Sequence, residues 1–142
     1  MSTQQVKLRF RQGTPTVVLR DLTGHEERRV TDASTQSVVD LLSRLVQFPP
    51  DAQVQTSELA APDRDRLLAA IYERTFGKRI ESTAVCTACS SPFDLGFSLD
   101  DLRAALDNSV DSSTTRALPD GTFRTAGGMR FRLPTAQEEI DR

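Results

Sequence analysis

Cys86 and Cys89 are the two cysteines of this 142-residue chain, spaced Cys-x-x-Cys. Thiolates at this spacing can grip one tetrahedral ion, because a tight turn aims both sulfurs inward at about 2.3 Å from the metal. Structural zinc is the chemistry this predicts, and two sulfurs are half of such a site. The same motif serves thioredoxin-like redox enzymes, but there it sits at a helix N-terminus inside a βαβ unit. Plain thiols in a turn are the third reading. His25, the one histidine, lies among Arg20, Asp21, Glu26, Glu27, Arg28 and Arg29. That setting marks a solvated side chain before it marks a zinc ligand. A nucleophile needs a base beside it and a group to orient that base. With one histidine, no Gly-rich phosphate loop after a strand and carboxylates on expected solvent faces, the sequence predicts no enzyme.

The elements flanking the cysteines decide between these readings. Phe93, Leu95, Phe97 and Leu99 alternate with Asp94, Gly96 and Ser98, the period of a half-buried strand. Residues 81–85 are strand-like as well, so 80–99 reads as two strands joined by the cysteine turn, like one knuckle of a zinc ribbon. The apolar face of this hairpin is expected to pack on Leu68 and Ile71, and so to form with or without metal.

Upstream, residues 6–11 alternate Val6, Leu8 and Phe10 with basic residues, and 16–19 are a second short strand across a Gly13-Thr14-Pro15 turn. Thr23-Gly24 reads as a loop or a helix entry. Asp32 or Ser34 caps a helix to about Gln47, with Val38, Leu41, Leu42 and Leu45 on one face, stopped by Phe48-Pro49-Pro50. Residues 51–61 form a linker with one helical turn near 57–59. Pro62 opens the strongest helix, with Asp63 and Asp65 at its positive end and Leu67, Leu68, Ile71, Tyr72 and Thr75 as its stripe. Gly77 is its left-handed stop.

Downstream, 100–106 carry helical spacing, 108–115 are polar, and Leu118-Pro119-Asp120-Gly121 is a turn. Residues 122–125 and 129–133 make a second hairpin. Thr135 with Glu138 is a capping box for a final short helix, too short to be stable alone. The fold class is therefore α+β: small antiparallel hairpins packed with two to three amphipathic helices, with the Cys86–Cys89 knuckle between strands. Residues 1–106 are expected to form one domain, 107–120 a flexible loop, and 121–142 the start of a second half in a longer protein. A formal net charge of −2 and a pI near 5.4 argue against nucleic acid as a partner. No stretch has the length of apolar residues that spans a bilayer, and the N-terminus lacks a secretory pattern. A reducing cytosol is the expected site of synthesis.

Several segments together resemble a known family. Leu19-Arg-Asp-Leu-Thr-Gly-His-Glu-Glu is similar to a Leu-Arg-Pro-Leu-Thr-Gly-x-Asp-Glu opening found in relatives of T4-type phage baseplate hub subunits. The likeness continues in Asp63-Arg-Asp-Arg-Leu-Leu-Ala-Ala-Ile-Tyr-Glu-Arg-Thr-Phe-Gly, in Cys86-Thr-Ala-Cys89, in Phe93-Asp-Leu-Gly-Phe-Ser-Leu and in Met129-Arg-Phe-Arg-Leu-Pro-Thr. Members of that family occur in phage tails and extracellular contractile injection systems. They usually carry Pro inside the Cys pair and Gly just after it, where this chain has Thr87-Ala88 and Ser90-Ser91. The resemblance implies a non-enzymatic structural subunit that docks on other baseplate, hub or tube subunits, assembled in the cytoplasm into a tail or injection particle. The alternatives are an assembly factor missing from the finished particle and an unrelated small zinc-ribbon regulator or redox protein. Relatives often carry a second Cys-x-x-Cys, which implies that Cys86 and Cys89 are half of a four-thiolate zinc site. This chain by itself is then expected to bind zinc weakly, or only through a second copy.

Residues 108–115 hold one apolar side chain, Val110, so burial there does not offset an ordering cost of roughly 1–2 kcal/mol per residue. Limited proteolysis with a non-specific protease is expected to cut there first. First cleavage elsewhere would contradict this assignment.

Overall fold

The computed structural model describes residues 3–10, 16–109 and 114–142. Among them the chain is α+β, with three small antiparallel sheets and five α-helices. The first sheet has the order β1-β2-β3, built from Thr3–Lys7, Thr16–Arg20 and Val46–Gln47. Val6 pairs with Val17 and Gln4 with Leu19, so alternate side chains of both strands face one side. Val6, Leu8, Val17 and Leu19 are all buried there. The hairpin expected from the sequence is present, and its 13–15 turn lies outside the described residues.

Strand β1 stops at Lys7, short of the expected Arg11, for a reason the alternation does not contain. Beyond it the Arg9 and Phe10 N–H groups donate to Asp63 Oδ1 at 2.8 Å and Oδ2 at 3.0 Å, not to a strand. Asp63 is fully buried in the first turn of α3 (Ala61–Phe76). It stands at the positive end of the helix as expected, and its burial makes it in addition a core residue pairing two backbone donors.

Helix α1 (Gly24–Glu27) resolves the Thr23-Gly24 ambiguity as a helix entry. Thr23 and Glu26 cap it reciprocally, and Glu26 is buried. Helix α2 (Thr35–Leu45) begins at its Ser34 cap and buries Val39, Leu42 and Leu45, with Val38 and Leu41 half-buried at the edge. It ends two residues before the expected Gln47. Val46 turns to φ −93°, ψ 128°, and Leu19 and Val18 pair with Val46 and Gln47 to make β3. The prolines at 49 and 50 hold the exit extended, and β2 offers it a ladder.

A 3₁₀ turn at Thr56–Glu58 fills the linker and buries Thr56. Helix α3 then packs Leu67, Ala70 and Ile71 on the first sheet and α2, in one cluster with Leu8, Leu42 and Leu59. Leu68 sits half-buried at the rim of that cluster, and Gly77 takes the positive φ of +89° that stops the helix. Helix α4 (Leu99–Ser109) follows strands β4 (Arg79–Val85) and β5 (Pro92–Ser98). Val110 to Ser113, half of the segment expected to be cut first, lie outside the described residues.

The last sheet joins β6 (Thr115–Ala117), β7 (Phe123–Thr125) and β8 (Arg130–Phe131). The hairpin expected at 122–133 is present, and β6 extends it to three strands. Phe123 stacks on Phe131 at 5.4 Å and meets Phe10 at 5.9 Å, which ties this sheet to the end of β1. Helix α5 (Ala136–Ile140) has the expected Thr135–Glu138 capping box. It docks back on the front of the chain: Ala136 N–H donates to Leu59 O at 3.2 Å, Ala61 N–H donates to Pro134 O at 3.0 Å, and Glu139 pairs with Arg64.

Removing the Asp63 acceptors strands two backbone donors, at roughly 1–3 kcal/mol for each unpaired buried group. Asp63→Ala is therefore expected to lower unfolding free energy in urea by about 2–5 kcal/mol, in the range of Leu67→Ala in the core. Leu95→Ala, on an exposed strand, is expected to change it by about 0.5 kcal/mol or less. A neutral Asp63→Ala would contradict the role assigned to this carboxyl.

The cysteine turn and its hairpin

Strands β4 and β5 pair antiparallel from Arg79↔Ser98 to Val85↔Pro92, with the cysteines in the connecting turn. Residues directly opposite share a face, so Ile80, Ala84, Phe93, Leu95 and Phe97 lie on one side and Val85, Thr83 and Asp94 on the other. The packing of this face differs from expectation. Phe93 is 48% exposed and Leu95 43%, while Val85 on the opposite face is 64% exposed. Leu68 and Ile71 turn to the first sheet instead, so the hairpin has Ile80 and Phe97 half-buried near its base and no core against its distal half. The hairpin is present, but the buried face that was to hold it without metal is not.

Its base is held firmly. Leu99, just after β5, is buried, and its N–H donates to Lys78 O at 2.9 Å. Lys78 reaches Asp100 at 2.7 Å and Glu73 at 3.4 Å, and Arg103 reaches Glu73 at 2.6 Å. This clasp ties the end of α3 to the start of α4. The hydrogen bonds to Asp100 and then to Glu73 raise the Lys78 pKa, and the Lys78 hydrogen bond lowers that of Asp100. The Arg79 guanidinium lies over Gly96 beside this base, where a Cβ would stand 2.7 Å from it and push the exposed side chain aside.

The tip is built differently. Ser90 N–H donates to Cys86 O at 2.9 Å, and Cys86 N–H donates to Ser91 O at 3.0 Å, which closes the turn. Ser90 takes φ +57°, the left-handed region where glycine is favoured, and the resemblance had marked this position as the family's glycine. Both thiols are free, Cys86 half-buried and Cys89 exposed. Hydrogen bonds from the Ser91 side chain, from the Ser91 backbone and from Cys86 lower the Cys89 pKa below its ordinary value. The two sulfurs therefore share one small space at the tip. His25 is exposed in α1 and does not join them; among the described residues, no group of three or more His, Cys, Asp or Glu side chains could hold a metal.

The residues that hold the hairpin base were missed in the sequence, although Glu73, Lys78, Asp100 and Arg103 border the segment as alternating charges. Of the residues whose types suggested chemistry, the two cysteines come together in the turn and His25 stays apart in α1. A family model described as T4 bacteriophage base plate protein matches residues 1–141. This chain belongs to that base plate family. No curated protein and no solved structure matches it significantly. As a base plate family member it presents, in this hairpin, an apolar arm with a thiol pair at its end. No helix among the described residues is long and apolar enough to cross a membrane.

Replacing Ser90 tests the tip conformation. A β-branched side chain is costly at positive φ, by about 1–2 kcal/mol, whereas glycine is not. Ser90→Val is expected to speed amide exchange across 85–92 while Ser90→Gly slows it or leaves it unchanged. Equal exchange in the two variants would contradict the left-handed turn.

Proposed function

We propose that this chain is a permanent, non-enzymatic structural subunit of the base plate of a contractile tail or tail-like injection particle. It acts by docking on other base plate, hub or tube subunits. The observation that carries this reading is the β4–β5 arm. Its base is clasped by buried Leu99 and a four-residue ion network, while Val85, Phe93 and Leu95 beyond it stay exposed. A two-stranded hairpin is marginal in water without a face to pack on. Exposed apolar side chains grouped on one element mark a protein interaction site. Membership in the base plate family supplies the kind of partner.

Composition of purified particles tests the permanent role. The chain is expected at a whole-number stoichiometry with the other base plate proteins. Its absence from finished particles, with assembly blocked when it is deleted, would overturn permanence and establish the assembly-factor reading. Within particles, Phe93→Asp together with Leu95→Asp is expected to lower its incorporation at least tenfold without unfolding the free chain.

A further inference from the structure

We propose that Arg116, Arg124 and Arg130 form one docking row on the last sheet, and that its occupant is an acidic helix of a different protein. Strand pairing sets Arg116 directly opposite Arg124, and Arg124 directly opposite Arg130. Residues opposite one another share a face, so the three side chains line up across β6, β7 and β8. All three are exposed. Phe123 and Phe131 lie on the other face, where Phe123 meets Phe10. The apolar side of this sheet is therefore turned to the end of β1, and the basic side away from it.

The row does not serve the fold. Like charges directly opposite one another weaken a strand pair. Arg130 is paired with Asp120 and reaches Thr122 Oγ1 at 3.3 Å. Among the described residues, the Arg116 and Arg124 side chains have no acidic partner. Charges guard the edges of a sheet against stray pairing, which accounts for arginines on β6 and β8. Arg124 stands on the central strand, where there is no edge to guard. The chain carries a formal net charge of −2, yet residues 115–133 hold four arginines against one acidic residue, Asp120.

Spacing and charge select the occupant. Cα atoms opposite one another in an antiparallel pair are about 4.5–5.5 Å apart. Side chains three or four residues apart on a helix stand at about 5–6 Å, whereas every second residue of a strand is about 6.6–6.8 Å from the last. A helix laid across the three strands thus brings its carboxylates nearly into step with the guanidiniums, each of which can take a carboxylate through two parallel N–H bonds. A strand falls out of step. Nucleic acid fits less well, because the net negative charge of the chain opposes the approach of a long polyanion.

The row shares no residue with the β4–β5 arm, so the two contacts can fail separately. A photo-crosslinking residue at Ala126, exposed in the β7–β8 turn, would be irradiated in cells that make the chain, and the cross-linked peptide sequenced. It is expected to come from another protein and to carry three Asp or Glu residues at intervals of three or four. Arg116→Glu together with Arg124→Glu should lower the cross-link yield at least tenfold. Arg29→Gln, exposed just after α1, should leave it unchanged. Arg124→Thr should leave the Tm of the free chain unchanged or raise it, because it removes a like charge from the row. A marked fall in Tm would assign this arginine to the fold and overturn the proposal. Cross-links to nucleic acid, to another copy of this chain or to a segment without the acidic spacing would also overturn it, as would a yield no higher than from a cross-linker at Arg29. Presence in finished particles is read separately from their composition, so either reading can stand when the other falls.

Discussion

Two backbone N–H groups near the start of the chain and one buried carboxyl in α3 set the frame on which the other contacts are laid. Buried peptide groups must find partners, and Arg9 and Phe10 find theirs on Asp63, across 54 and 53 residues of sequence. The carboxyl sits in the first turn of a helix, where unpaired N–H groups already favour an acceptor. That bond ends β1, seats α3 on the first sheet, and delivers Phe10 to Phe123 in the last sheet. The return of α5 onto Leu59 and Ala61, just before α3, closes the same region from the other end of the described chain. A single acceptor thereby connects the first strand, the central helix and, through one aromatic ring, the third sheet.

The β4–β5 hairpin stands outside this frame, and its two ends obey different physics. At the base, exposed ion pairs that would each contribute little alone are gathered into a network around buried Leu99. Toward the tip there is no charge and little burial. Apolar side chains remain on both faces, and backbone hydrogen bonds shape a turn that holds two thiols together. An element anchored at one end and unfinished at the other is suited to contact, which agrees with the base plate family to which the chain belongs.

Local signals fared well wherever a few neighbouring residues decide the outcome. The Thr135–Glu138 capping box, the Gly77 stop of α3, the Ser34 cap of α2 and the strand–turn–strand around Cys86 and Cys89 all stand where spacing placed them, and α3 begins one residue before the expected Pro62. Each depends on φ preferences or on a hydrogen bond reaching three or four residues. The α+β class followed from their sum, and the ordered set of motifs was specific enough to point to the base plate family.

Tertiary structure decided which faces are covered. Alternation in β5 and in β1 looks alike in sequence, yet Val6 is buried and Leu95 is exposed, because the first strand joins the cluster that α2 and α3 complete. Helix periodicity could not tell Leu67 from Leu68 as the core residue, since adjacent positions on a helix differ by about 100° and the neighbouring sheet selects one. Asp63 read as a solvated dipole partner because nothing within ten residues reveals that two peptide groups from the N-terminal strand will be aimed at it. The sequence by itself determined the elements and their ends. The burial of Asp63 and the early end of β1 were decided by contacts between segments some fifty residues apart, and the exposure of the hairpin by which elements the core gathers elsewhere, neither of which local spacing encodes.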